Sequence, residues 1–86
     1  MYEVVLSNSF RKELEKQVKH NPKLWRQVTK TLNLLNTDIK YKSLKLHKLS
    51  GTDYWAVSVN DSYRMKVKIE DRYIFCLKFG THEEIY

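Results

Sequence analysis

The chain has 86 residues, with 16 Lys and Arg against 10 Asp and Glu, a net charge of +6 and a pI near 9.5. That length suits one domain, expected over residues 1–86, and the basic balance suits an anionic partner better than a basic one. No apolar stretch approaches the roughly 20 residues of a membrane span, no signal-peptide core follows Met1, and the single cysteine, Cys76, excludes an internal disulfide and a thiolate metal cluster, so a cytoplasmic protein away from the membrane is expected.

Tyr2 to Leu6 (YEVVL) reads as a short apolar strand, closed by Ser7, Asn8 and Ser9, which suit a helix cap. Phe10, Leu14 and Val18 then recur every fourth residue among charged neighbours, the pattern of an amphipathic helix. It stops at His20, because Asn21-Pro22 forbids continuation and suits a new start, with Asn21 as cap and Pro22 at the first helical position. Trp25, Val28, Leu32 and Leu35 predict the apolar face of a second helix, fading near Thr37-Asp38 and packed on the first as a hairpin. Trp25 and Trp55 are expected in the core. Ile39 to Ser50 is a basic connection in which Lys40, Lys42, Lys45 and Lys48 follow one another without an acid between them; Gly51 allows a bend at its end.

Three short strands follow from Tyr54. In the middle one Tyr63, Met65, Val67 and Ile69 alternate with Arg64, Lys66 and Lys68, so one face enters a core and the other presents a row of cations. Pairing around Asn60-Asp61-Ser62 sets Val59 opposite Tyr63 and, on the open face, Ser58 beside Arg64, Ala56 beside Lys66 and Tyr54 beside Lys68. A three-residue turn at Glu70-Asp71-Arg72 sets Val67 opposite Phe75 on the core side, Arg64 beside Lys78 and Lys66 beside Cys76. Gly80 to Tyr86 leaves the last strand near Arg64, bringing His82 and Tyr86 within reach. The expected fold class is α+β: a small antiparallel sheet with a two-helix N-terminal hairpin on one face, in the order β-α-α-β-β-β.

A row of cations on one strand face suits a nucleic-acid backbone or an acidic partner; of nucleic acids, RNA carries its own nucleophile, the 2′-OH. Cleavage needs a base for that proton, positive charge for the phosphorane and an acid for the 5′-oxygen. His82 or His47 can shuttle protons, and the fork of Arg64, with Lys78 or Lys66, suits phosphate oxygens. His20, His47 and His82 lack metal-ligand spacing, so no metal or other cofactor is expected.

The run HKLSG (47–51), the pair Tyr54-Trp55, NDSYR (60–64) and GTHEEIY (80–86), set in this order of elements, resemble the RelE/ParE superfamily of bacterial type II toxin–antitoxin toxins, over essentially the whole chain. The resemblance implies a toxin neutralised by a cognate antitoxin, and oligomeric only through it. In the RelE, YafQ and YoeB branches it implies an endoribonuclease that cuts mRNA on the ribosome, in the A site. It assigns Arg64 to the scissile phosphate, His82 to acid or base work, His47 to the histidine before the Leu-x-Gly-like motif, and Tyr86 to the tyrosine of the tail. Lys45, Lys48, Lys66, Lys68, Lys78 and Ser58 are the expected RNA-binding residues. Ser58 stands where relatives hold a catalytic histidine or lysine, and the catalytic acid of the YafQ and YoeB branches has no counterpart. Two other functions fit the sequence: a ParE-like inhibitor of DNA gyrase without nuclease activity, and a non-toxic nucleic-acid-binding module.

Overall fold

The computed structural model describes every residue from Met1 to Tyr86. Strand β1 (Glu3–Leu6) leads into helices α1 (Asn8–Val18) and α2 (Pro22–Thr37). A single 3₁₀ turn, Lys42–Leu44, precedes strands β2 (His47–Lys48), β3 (Trp55–Ser58), β4 (Tyr63–Glu70) and β5 (Tyr73–Thr81), and a one-turn helix, α3 (His82–Ile85), ends the fold. The sheet order is β1-β5-β4-β3-β2. Strands β3 to β5 form the expected antiparallel meander, and β2, within the stretch expected to be a connection, extends it by two residues. Strand β1 joins parallel to β5, from Glu3 opposite Tyr73 to Leu6 opposite Cys76, so the sheet is mixed. Two helices separate β1 from the meander, and a connection of that length frees it from hairpin geometry.

The helix starts lie where their caps dictate. The Ser7 hydroxyl accepts from the Phe10 N–H (3.1 Å) and donates to the Leu77 carbonyl (3.3 Å), tying the start of α1 to β5. Asn21 accepts from the Leu24 N–H (3.1 Å), with Pro22 at the first helical position. Both helices cover one face of the sheet, where Phe10, Leu14, Leu24, Val28 and Leu35 meet Val57, Met65, Val67, Ile74, Cys76 and Phe79 in one buried cluster. Phe10 meets Phe79 edge to face at 5.9 Å, and Tyr63 stacks on Phe79 at 5.3 Å.

Three expectations need correction. Trp25 is 50% exposed rather than in the core; α2 buries Leu24, Val28, Thr31 and Leu35 instead. Two stripes one residue apart compete on this helix, and Thr31 can enter the core because its hydroxyl donates to the Gln27 carbonyl (2.8 Å). The β4–β5 loop has two residues, not three: Glu70 faces Tyr73, and Asp71 takes the left-handed conformation (φ 54°) that so tight a reversal requires. Val67 therefore faces Cys76, and Phe75 lies beside Lys68 on the open face. A bulge then passes over Leu77, so Lys66 faces Lys78 and Arg64 faces Gly80, not Lys78. Cys76 is buried among apolar side chains, which push its thiol up to about 12 and leave it inert.

Candidate active site on the open face of the sheet

The face away from α1 and α2 is ordered in rows. Ser58, Arg64 and Gly80 form one; His47, Ala56, Lys66 and Lys78 form the next. Helix α3 folds back over these rows. Its start is a capping box: the Thr81 N–H donates to Glu84 Oε1 (2.8 Å) and the Glu84 N–H to Thr81 Oγ1 (3.4 Å). Gly80 makes room for it, since a Cβ there would lie 3.0 Å from Glu84 Oε1 and 3.2 Å from its Cβ. Ile85, 4% exposed and separate from the main core cluster, seats the turn. The His82 N–H donates to the Ser62 carbonyl (3.1 Å), and the Lys78 ammonium to the Glu84 carbonyl (3.1 Å).

This tail brings three of the expected residues together. The Tyr86 ring lies between two imidazoles, 4.3 Å from that of His82 and 5.4 Å from that of His47. Lys45, in the left-handed conformation (φ 47°), turns its carbonyl to His47 Nδ1 at 2.8 Å. A carbonyl only accepts, so Nδ1 carries a proton, and in the neutral ring Nε2 is left with its lone pair. The Tyr86 hydroxyl donates to that nitrogen at 2.8 Å.

Arg64 is held from the other side. Its Nη1 donates to the carbonyls of Asn60 and of Tyr63 (2.9 Å), leaving Nε and Nη2 for a ligand. The Ser58 hydroxyl donates to the same Asn60 carbonyl (3.2 Å) and is 8% exposed, so Ser58 lies beneath the surface as a brace for the turn. Asn60 is a positioning residue that the sequence reading missed. Its side-chain oxygen accepts from the N–H groups of Ser62 and Tyr63 (2.8 Å each), and its amide donates to Gln27 Oε1 (2.9 Å). Asparagine at the head of a turn is the available signal; its grip on an arginine four residues later is tertiary.

The lysines divide. Lys45 and Lys48 flank His47 and are exposed. Lys66 and Lys78 sit opposite each other in the His47 row, with the Lys66 ammonium 5.5 Å from the centre of the Tyr54 ring. Lys68 lies further along β4 and makes the one ion pair of the molecule, 3.6 Å from Glu70. Arg64, Lys66 and Lys78 therefore have no carboxylate partner, and their positive charge faces outward.

No family model and no curated protein sequence matches the chain. Solved structures do, over nearly the whole length, and they define the fold. The chain is similar to YafQ in the E. coli DinJ–YafQ toxin–antitoxin complex, with 21% identity and a TM-score of 0.80, covering 99% of this chain and 97% of that one. A metal-bound toxin from Helicobacter pylori gives 22% and 0.80 with both chains fully covered, and the YoeB–YefM complex from Staphylococcus aureus gives 16% and 0.76, covering 95% and 98%. At these identities the likeness is one of fold, and it is the fold that the sequence resemblance implied. The Helicobacter protein holds a metal; here no three His, Cys, Asp or Glu side chains gather as a ligand set. No helix is long and apolar enough to cross a membrane.

Proposed function

We propose that this protein is the toxin of a toxin–antitoxin system, a metal-independent endoribonuclease that cuts mRNA in the ribosomal A site and is neutralised in the cytoplasm by a cognate antitoxin. The observation that carries the reading is the pairing of an anchored arginine, Arg64, with the His47–Tyr86–His82 ladder on one basic sheet face. The 2′-oxygen attacks the adjacent phosphorus, the P–O5′ bond breaks, and a 2′,3′-cyclic phosphate remains. Tyr86 passes its proton to His47 Nε2 as it takes the 2′-OH proton, and His82 protonates the leaving 5′-oxygen. Arg64 meets the phosphorane charge with donors that its turn already orients, so little reorganisation is needed as that charge develops. Lys66 and Lys78 raise the local potential, while Lys45 and Lys48 extend it toward the RNA backbone. Antitoxin binding follows from the same outward-facing charge and from the antitoxin-bound neighbours, DinJ–YafQ and YoeB–YefM.

The test is induced expression of wild type, Arg64→Ala and His82→Ala in a bacterial host, with 5′-end mapping of mRNA. Growth arrest with new mRNA ends is expected for wild type, and a loss of cleavage of about 100-fold or more in each variant. Arrest with DNA damage and no cuts would replace this reading by gyrase inhibition.

A further inference from the structure

The two corrections to the β4–β5 register have a joint result. The two-residue loop puts Phe75 on the open face, and the bulge at Leu77 puts Lys78, the one cation of β5, on that same face further on. Beyond the reactive rows, the face therefore continues with Lys68, Phe75 and Val5 in one row, then Glu70, Tyr73 and Glu3 in the last. Val5 is 39% exposed, and neither it nor Tyr54, Tyr73 and Phe75 packs against the core cluster. Tyr73 lies 6.0 Å from Phe75, with the Arg72 guanidinium 5.6 Å from the Tyr73 ring.

Resting on the nuclease reading above, we propose that Phe75 is a stacking platform for one base of single-stranded RNA, outside the reactive cluster. The charge order along the face selects this occupant. Arg64, Lys66, Lys78 and Lys68 form a cationic track leading from the reactive rows to the aromatic ring, the combination that binds a backbone and stacks a base without reading its sequence. Four residues separate Arg64 from Lys68 on β4, so Phe75 lies roughly 13 Å from the arginine row. Glu3 and Glu70 close the track beyond it, because carboxylates repel further phosphates. Phe75 is thus the last contact, and RNA too short to span the track gains nothing from it.

The experiment measures binding of fluorescein-labelled oligouridylates of about 4 and about 12 nucleotides. Each carries a 2′-O-methyl group at every position, which keeps the ribose and removes the nucleophile. The proteins are wild type, Phe75→Leu, which keeps an apolar side chain but removes the ring, and Phe75→Trp, with folding checked by circular dichroism. Phe75→Leu is expected to weaken the longer oligomer by about 5-fold or more, the loss of one stacked base, and to leave the shorter one unchanged. Phe75→Trp keeps wild-type binding of both. Wild-type affinity of Phe75→Leu for the longer oligomer overturns the platform and leaves the nuclease reading intact, as does an equal loss for both lengths. Loss of a protein partner with RNA binding unchanged assigns the face to a peptide and also overturns the platform. Failure of wild type to bind either oligomer overturns the platform, and the nuclease reading then stands or falls by the mapping of mRNA ends.

Discussion

The two faces of the sheet are built on opposite terms. On the helix side β1, β3, β4 and β5 contribute apolar side chains to one cluster, and the position of each is fixed by many neighbours. The open side is covered only at one end, by the single turn of α3, and its buried apolar residues are Ala56 and Ile85. The first face holds the fold, and the second displays cations, imidazoles and aromatic rings on it. Side chains needed for binding and proton transfer must stay accessible, so they stand where packing is thin, and they are positioned by hydrogen bonds instead: Arg64 by Asn60 and Tyr63, His47 by Lys45 and Tyr86.

The largest expected effect tests that asymmetry directly. Phe79 is fully buried between Phe10 and Tyr63, so Phe79→Ala leaves a cavity and costs about 3–5 kcal/mol in urea unfolding. Phe75→Ala, four residues earlier on the same strand but on the open face, costs about 1 kcal/mol or less. Equal losses would mean that the open face also carries the fold.

The helix side was legible in the sequence because it obeys simple periods. Phe10 and Leu14, Asn21-Pro22, and the alternation from Tyr63 to Ile69 each mark one element and one face. Trp25 was misplaced because its stripe differs from the buried one by a single residue, and only contact with the sheet chooses between them. The open side was legible up to the β4–β5 loop. Glu70-Asp71-Arg72 contains no Gly, and although Asp tolerates the left-handed conformation that Asp71 adopts, that weak signal does not separate a two-residue loop from a three-residue one. Nothing in Cys76-Leu77-Lys78 marks a bulge; it is stabilised from a distance, through the Ser7 hydroxyl on the Leu77 carbonyl. The gathering of His47, His82 and Tyr86 depended on a two-residue strand, β2, and on a tail that folds back. Strand pairing brought His82 and Tyr86 within reach of Arg64; the place of His47 beside them was not legible in local pattern.

A middle-sized effect sharpens the comparison at the one covered end of the open face. Gly80→Ala would push its Cβ against Glu84, including the 3.2 Å approach to that residue's Cβ, which a side-chain rotation does not relieve. The capping box is expected to open, at about 1 kcal/mol. Faster amide exchange at Thr81 and Glu84, with the core amides unchanged, is the readout; unchanged exchange at Thr81 would show that α3 does not depend on this close approach.

The smallest effect is a pH dependence confined to the same turn. The Thr81 N–H, donating to the Glu84 carboxylate, and then the Thr81 hydroxyl hold Glu84 below the usual carboxylate range, with Lys78 and Lys16 adding positive charge. A carboxylate whose folded value is depressed stabilises the fold fully above its ordinary value, near 4.3, and the contribution disappears as pH falls through the lowered one. The α3 turn is therefore expected to be insensitive to pH from neutrality down to the ordinary carboxylate range, and to loosen only on further acidification, before the helix-side core responds. NMR of the Thr81 amide proton, which donates to that carboxylate, follows the step. Glu84→Gln should remove the step and leave the turn partly open at neutral pH. If the Thr81 amide instead moves together with the core amides in acid, the two faces open as one unit, and the open side is not the independent surface that its thin packing implies.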